Sequence, residues 1–253
     1  MARKKNNINK NYTHYYIWGL HASIAALKNN NRNIENIFCT QLVFDRYINE
    51  KVKITNSIKI LKNNDLNTLL ENKITHQGII LETKPLNYPT LDDVIDSNNI
   101  IIALDQVTDP QNVGAIIRTF SFFGGENLLI TKDHSSEING SLAKSASGAL
   151  ESVNIIKVTN LSMTLKKIRK KGFIIIGLDE NSDVMLHNTN DYNNEKKVLV
   201  MGSEGKGLRR LTKENCDFLV SIANNNDSDF NTLNVSVSSA LALYELMGRD
   251  IIK

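Results

Sequence analysis

From residue 99 onward, short apolar runs alternate with segments whose apolar residues recur at helical spacing. The runs have the length and the continuous hydrophobicity of strands that are buried on both faces. The predicted strands are 99–105, 127–131, 153–158, 173–178, 197–202 and 218–223. The predicted helices are 112–123, 137–149, 161–171, 207–214 and 235–247. This alternation predicts a mostly parallel sheet covered by helices, in which ligands bind where the strands end.

The pattern before residue 99 predicts a separate, smaller α/β domain. Residues 1–14 are basic and lack apolar periodicity, so we interpret them as a mobile arm. Residues 84–98 hold two prolines among polar residues, which is typical of a linker. Between them the pattern predicts a helix at 17–27, a strand at 34–40, one or more helices up to about residue 72, and a strand at 78–83. The expected domains are therefore 15–83 and 99–253.

Composition is that of an ordinary soluble globular protein, with 41% apolar and 23% charged residues in a chain of 253. No apolar run approaches the roughly 18 residues of a membrane span, and the N-terminus lacks the apolar core of a secretory signal. Cys39 and Cys216 show no pairing or metal-ligand spacing, which fits a reducing compartment. We therefore expect a cytoplasmic protein without a metal site and without a membrane partner.

The net charge of +3 argues only weakly for a nucleic-acid partner, but its distribution says more. Several basic residues precede Glu35, the first acidic one: Arg3, Lys4, Lys5, Lys10, Lys28 and Arg32. A basic arm of this kind contacts phosphates in some proteins and is a solvated tail in others. Both interpretations stay open from charge alone.

Three segments place polar residues or glycines in the connections that leave the C-terminal ends of predicted strands. In the first, DPQNVGAIIR, Asp109 and Pro110 suit the start of a helix, while Gly114 and Arg118 share one helix face. Taken alone, this segment is more typical of a capped helix with an arginine that extends to solvent than of a ligand site.

The second segment, KVLVMGSEGKG, runs from an apolar strand into three glycines around Glu204. Glycines expose backbone N–H groups and leave room for a ligand, although neither the P-loop nor the dinucleotide fingerprint is present. The third segment, NTLNVSVSS, crowds Asn and Ser residues at the start of an apolar helix, where one of them would suffice as a cap.

Taken together, the three segments resemble the motifs of the SpoU (TrmH-type) RNA ribose 2′-O-methyltransferases of the SPOUT superfamily. The first motif is carried by Asn112-Val113-Gly114-Ala115 and Arg118, and the second by residues 201–207. The third is carried by residues 233–238, leading into Tyr244-Glu245. Each motif alone is modestly specific, whereas all three in this order are highly specific. The resemblance covers about residues 98–250.

The first domain resembles the substrate-binding domain that precedes the catalytic domain in some members of the family. Residues 17–27 are similar to its opening helix, and residues 75–79 to its closing segment. The segments LDQVTDPQNVGAIIRT and VMGSEGKGLRRLT are most similar to the RlmB-type subgroup, which methylates a guanosine in large-subunit (23S) ribosomal RNA. The resemblance thus implies an rRNA partner.

The resemblance also implies a homodimer of α/β domains, each with a C-terminal trefoil knot that holds S-adenosyl-L-methionine. Backbone groups of the knot loops read the adenine in the family. The implied cofactor-binding residues are Met201, Gly202, Gly207, Ile222 and Leu233.

The implied catalytic residues are Asn112, Arg118, Glu204, Thr232 and Asn234. In the family, the residue matching Arg118 accepts the proton of the ribose hydroxyl after activation by an RNA phosphate. A guanidinium has a pKa above about 12 and is a poor base, so orienting the phosphate and stabilising the alkoxide is the easier physical role. Glu204 would lie near the reacting centre, and Asn112 would hold the substrate.

The turn before the third motif departs from the family pattern, which usually has an I-P-M-x-G-like turn followed by Ser-Ser-Leu-Asn. Here residues 222–230 read IANNNDSDF, and Asn231-Thr232 replace the two serines, with Thr232 keeping a hydroxyl. The favoured function is an rRNA 2′-O-methyltransferase. A tRNA methyltransferase and a non-catalytic RNA-binding relative stay open, while the missing glycine fingerprint disfavours a nucleotide-dependent dehydrogenase.

Overall fold

The computed structural model describes residues 14–49, 57–70, 74–96, 99–188, 195–223 and 232–248. Of the predicted basic arm, only His14 belongs to these ranges. Most of the unusual turn before the third motif, residues 224–231, also lies outside them.

The first part of the chain forms a four-stranded sheet in the order β1-β4-β2-β3. Its strands are β1 (Tyr15–Trp18), β2 (Ile34–Cys39), β3 (Ser57–Ile60) and β4 (Ile79–Thr83). β2 and β3 are parallel, and the other neighbours are antiparallel. The helices are α1 (Leu20–Lys28), α2 (Gln41–Val43) and α3 (Asn63–Leu69), and α2 continues into a wider π-helical turn at Phe44–Ile48.

Two expectations for this part of the chain were wrong. The helix predicted at 17–27 starts at Leu20, because Ile17 and Trp18 complete β1 and Gly19 turns the chain with a φ of 91°. A glycine tolerates that backbone conformation without steric cost. Strand β3 was not predicted at all, because it is a short edge strand whose side chains are largely exposed and carry little hydrophobic signal.

The second part of the chain forms a six-stranded, fully parallel sheet in the order β10-β8-β9-β5-β6-β7. This arrangement confirms the predicted mostly parallel α/β fold. The strands are β5 (Ile100–Asp105), β6 (Asn127–Thr131), β7 (Asn154–Val158), β8 (Phe173–Leu178), β9 (Lys196–Gly202) and β10 (Phe218–Val220).

Helices cover both faces of this sheet, which explains why its strands are apolar throughout. In β5, Ile102 and Leu104 belong to the core under α5, whereas Ile101 and Ala103 belong to the core under α7. The helices of this part are α4 (Leu91–Val94), α5 (Pro110–Phe122), α6 (Gly140–Ala146), α7 (Leu161–Arg169), α8 (Arg210–Lys213) and α9 (Val235–Leu243). A π-helical turn, Tyr244–Gly248, extends α9.

The predicted helix at 137–149 is shorter in the structure, and its ends have local causes. The Asn139 side chain caps α6 by accepting from the N–H groups of Ser141 and Leu142. Ser147 then ends the helix in the left-handed conformation that C-caps commonly adopt. A 3₁₀ turn, Ala149–Glu151, follows.

The two sheets are held together through a buried ion pair and a close backbone approach. Arg32, which follows α1, binds Glu151 at 2.6 Å, and both side chains are at least nine-tenths buried. At Gly140, an added Cβ atom would lie 2.0 Å from the Trp18 ring, so only glycine fits beneath it.

Among the residues described here, no helix combines the length and the apolar character needed to cross a membrane. The trefoil knot stays a prediction, because residues 189–194 and 224–231 of the C-terminal part are not described.

Candidate active site

The turn between β5 and α5 is fixed at both of its ends. Asp105 is fully buried, and its two carboxylate oxygens accept from the Arg209 backbone N–H at 3.0 Å and from the Arg209 Nε at 2.6 Å. Asp109 caps α5 by accepting from the N–H groups of Gln111 and Asn112. Because Pro110 suits the first turn of a helix, this sequence places Asn112 at the start of α5, at the C-terminal edge of the sheet.

The glycine loop after β9 folds back on its own start. A Cβ atom on Gly202 would lie 2.2 Å from the carbonyl carbon of Gly207, so residue 202 must be glycine. The N–H of Gly207 donates to the Ser203 carbonyl at 2.9 Å, and Gly205 and Gly207 have φ values of 75° and 62°. This tight loop presents the exposed side chain of Glu204 beside the end of β5.

Three predicted catalytic residues meet in one hydrogen-bonded cluster. Glu204 Oε1 accepts from Asn112 Nδ2 at 3.0 Å and from Asn234 Nδ2 at 2.7 Å. Asn234 Nδ2 is also 3.0 Å from Asn112 Oδ1, and its own Oδ1 caps α9 by accepting from the Ser236 N–H. We call these three residues the Asn–Glu–Asn cluster. Within the described part of the chain, Glu204 Oε2 makes no hydrogen bond, so one carboxylate oxygen stays open to a ligand.

Arg118, the fourth predicted catalytic residue, does not join this cluster within one chain. It is six residues beyond Asn112 on α5, which is about 9 Å along the helix axis and about two-thirds of a turn around it. Its side chain is exposed and has no hydrogen bond or ion pair with the described residues. It lines a cavity of about 510 Å³ between α5 and α9, together with Phe122, Phe123, Ala149 and Ala240.

The predicted cofactor-binding residues lie at or after the ends of β9 and β10 and before the start of α9, and they differ in exposure. Leu233 is 52% exposed, and Gly207 is also exposed, whereas Ile222 is partly buried against the core. The Met201 side chain is fully buried, so only its backbone is available to a ligand. Thr232, predicted as catalytic, is exposed and makes no hydrogen bond with any residue described here.

Comparison with protein families supplies the deciding observation. Residues 99–244, more than half of the chain, match the model of the SpoU rRNA Methylase family. The chain belongs to this family. Residues 16–89 match a second model, described as RNA 2′-O ribose methyltransferase substrate binding.

Curated relatives are similar to this SpoU-family protein over nearly the whole length of the chain. It is 36% identical over 234 residues to the 23S rRNA (guanosine-2′-O-)-methyltransferase RlmB of Ralstonia nicotianae, covering 90% of this chain and 92% of the relative. It is 32% identical over 249 residues to the protein of the same name from Neisseria meningitidis serogroup B, covering 94% and 96%.

Solved structures agree with this family fold. The SpoU methyltransferase AviRb from Streptomyces viridochromogenes, in complex with the cofactor AdoMet, superposes with a TM-score of 0.76. The superposition covers 95% of this chain and 92% of AviRb at 17% sequence identity, so it supports the fold alone.

The sequence motifs of this SpoU-family protein did not reveal the Asp105–Arg209 pair, which ties the first motif to the second. One feature of the sequence could have indicated this pair, namely the acidic residue Asp105 at the end of an otherwise apolar strand. A buried carboxylate needs a partner, and the arginine that follows the glycine loop was a candidate.

No group of three or more His, Cys, Asp or Glu suited to a metal ion occurs within the described ranges.

Proposed function

We propose that this protein transfers a methyl group from S-adenosyl-L-methionine to the ribose 2′-hydroxyl of a guanosine in 23S ribosomal RNA. The observation that carries the proposal is the Asn–Glu–Asn cluster, which joins all three SpoU motifs at one edge of the sheet. Curated relatives that match this chain over more than nine-tenths of their own length carry names for this reaction on this RNA.

The ends of β9 and β10 fit S-adenosyl-L-methionine. Cβ atoms built on Gly205 and Gly207 meet nothing within 4 Å, so the backbone of this loop is open to a ligand. Leu233, half exposed and next to Asn234, offers an apolar surface of the kind that an adenine ring covers. Gly202, Gly207, Ile222 and Leu233, with the Met201 backbone, would hold the cofactor.

The bound cofactor would supply an electrophilic methyl group on a sulfonium, whose sulfur leaves as a neutral thioether when the methyl group is transferred. Glu204 has one oxygen held by two amides, so its free oxygen is a fixed acceptor that orients the attacking hydroxyl and takes its proton. Asn112, nine-tenths buried, holds Glu204 in place. Arg118 binds the neighbouring phosphate as a fork of donors and stabilises the charge that develops on the ribose oxygen.

Arg118 has this role only if two copies of the chain associate. In one copy it is separated from the cluster along α5, yet it borders an exposed apolar surface formed by α5 and α9. The large residues of this α5–α9 surface are Phe122, Val237, Leu241 and Tyr244, each at least 45% exposed. Exposed apolar surface of this extent favours a homodimer, in which Arg118 of one copy faces the Asn–Glu–Asn cluster of the other.

Residues 15–83 are proposed as the RNA-binding domain, residues 84–98 as the linker and residues 99–253 as the catalytic domain. The substrate-binding model that matches residues 16–89 supports this division. We also propose that the protein works in the cytoplasm, where ribosomal RNA is available.

Methyl transfer to two RNA classes tests the substrate. The protein is incubated with S-adenosyl-L-methionine carrying a tritiated methyl group and with unmodified transcripts of 23S rRNA or of tRNA, with Glu204→Gln as the inactive control. We expect label in 23S rRNA only. Label in tRNA alone would support the tRNA alternative, and RNA binding without label would support the non-catalytic one.

A further inference from the structure

In the part of the chain that the structure describes, four residues other than glycine adopt the left-handed backbone conformation: Gln77, Gln106, His134 and Ser147. This conformation is unfavourable for residues with a Cβ atom and marks a position where the surroundings impose it. Ser147 is the C-cap of α6, and the Gln77 side chain accepts from the Leu20 N–H at 2.9 Å. His134 lies in an exposed loop. Gln106, with a φ of 61°, lies at the candidate active site.

The strain at Gln106 is imposed from both sides. The preceding residue, Asp105, is held by two hydrogen bonds from Arg209. The following residue, Val107, is buried, and its carbonyl accepts from the Ser136 N–H at 3.2 Å. Relaxing the backbone of Gln106 would therefore disturb the hydrogen bonds of both neighbours. A non-glycine residue in this conformation costs folding free energy, and such residues cluster at functional sites.

Gln106 lies on the substrate side of the site. Asp105 pairs in register with Gly202, so Gln106 is the first residue beyond the edge where β5 and β9 end together. Of the expected cofactor-binding residues, Met201 and Gly202 end β9 and Ile222 follows β10. β10 and β5 lie on opposite sides of β9 in the sheet. Asn112 of the Asn–Glu–Asn cluster follows six residues after Gln106, in the first turn of α5.

The side chain of Gln106 is free to bind a ligand. The residue is partly exposed, and its carboxamide has no hydrogen bond with any residue that the structure describes. A carboxamide offers a donor and an acceptor side by side, so its N–H can donate to O6 of guanine while its oxygen accepts from N1–H of the same base. We propose that Gln106 binds the base of the nucleotide whose ribose is methylated. This inference rests on the proposed function, which leaves the recognition of guanine unassigned.

Base discrimination by Gln106→Gly tests the inference. Glycine accepts the left-handed backbone and removes the carboxamide, so the fold is retained. The measurement is the ratio of kcat/KM for an rRNA fragment with guanosine at the mapped target to that for the same fragment with adenosine. We expect the variant to lower this ratio by about tenfold or more. The Kd for S-adenosyl-L-methionine should not change, and the Tm should fall by no more than about 2 °C.

Two further variants make the result specific. Ser147→Gly relieves the same backbone strain at the end of α6 and should leave the ratio unchanged. Gln106→Asn tolerates the left-handed conformation, keeps a carboxamide and should retain part of the discrimination. An unchanged ratio in Gln106→Gly, or a loss that comes with weaker cofactor binding or a collapsed Tm, would overturn the inference.

RNA binding separates this inference from the proposed function. If the wild-type protein methylates no RNA, the proposed function fails, and Gln106 is tested by fluorescence anisotropy. Two oligoribonucleotides that differ by one guanosine-to-adenosine change are compared. A preference for guanosine that Gln106→Gly abolishes would support base recognition, and equal affinities for wild type and variant would contradict it.

Discussion

At the residue scale, the site depends on one carboxylate oxygen that two asparagine amides share. The sequence predicted that Asn112, Glu204 and Asn234 lie close together. All three follow strands of one parallel sheet, and the C-terminal ends of such strands lie at one edge. The hydrogen-bonding pattern was not predictable, since it depends on side-chain positions. The place of Arg118 was not predictable either, because whether a helical residue faces the site of its own chain depends on packing.

Asn234 has two roles that a single substitution separates. Its side chain caps α9 through Oδ1 and holds Glu204 through Nδ2. Asn234→Ser keeps a helix cap but removes the amide donor, so we expect methyl transfer to fall roughly 10²-fold while the Tm stays close to that of wild type. Asn234→Ala loses both roles and should also cost about 1 kcal/mol of unfolding free energy. Full turnover in Asn234→Ser would show that Glu204 needs no such support.

His76 should make stability depend on pH. Its Nδ1 accepts from the Gly78 N–H, and its Nε2 lies 3.2 Å from Asn67 Oδ1, so the folded state needs the neutral ring. Burial, and secondarily the charge of Lys144, lower the pKa of His76 from its ordinary 6.5. As the pH falls below 6.5, His76 binds a proton in the unfolded chain while the folded ring stays neutral. The free energy of unfolding therefore decreases from pH 6.5 down to the lower pKa of the folded state.

Chemical denaturation between pH 5 and pH 8 measures this effect as a difference between wild type and His76→Gln. Glutamine keeps one acceptor and one donor but does not titrate. The unfolding free energy of wild type should therefore fall more steeply on acidification than that of the variant. Parallel curves would mean that His76 does not titrate differently in the folded state.

At the element scale, the hydrophobic pattern predicted the six-stranded sheet well, because strands buried on both faces are apolar throughout. It failed where that signal is weak. The edge strand β3 has little buried surface, and the β1–α1 junction depends on the backbone of one glycine. The contact of α5 with α6 likewise depends on Gly114, which the first motif includes.

Gly114→Ala should destabilise the protein by about 1–3 kcal/mol. A Cβ atom at this position would lie 2.6 Å from the Leu142 carbonyl oxygen and 2.6 Å from the Ser145 Cβ, so α5 and α6 must separate. The unfolding free energy from urea titration measures the effect. A variant within about 0.5 kcal/mol of wild type would show that the two helices do not approach so closely.

At the scale of the whole molecule, the proposed dimer predicts complementation between two inactive variants. Arg118→Ala keeps an intact Asn–Glu–Asn cluster, and Glu204→Gln keeps an intact Arg118. If Arg118 acts on the partner's cluster, each mixed dimer has one complete site. An equimolar refolded mixture should then recover about a quarter of wild-type activity, since half of the dimers are mixed and half of their sites are complete.

Sedimentation equilibrium gives the oligomeric state that this experiment requires. Leu241→Asp on the exposed α5–α9 surface should shift the protein to a monomer, because a charge on an apolar interface opposes association. No recovery of activity in mixtures whose subunits have exchanged would place Arg118 outside the partner's site.

Nucleoside mass spectrometry measures methyl transfer to a ribose directly. Unmodified 23S rRNA is incubated with the protein and S-adenosyl-L-methionine carrying a deuterated methyl group, then digested to nucleosides. We expect deuterated 2′-O-methylguanosine, and we expect none when Glu204→Gln replaces the wild-type protein. A deuterated methyl group on a base, or no deuterium in any nucleoside, would contradict methyl transfer to the ribose.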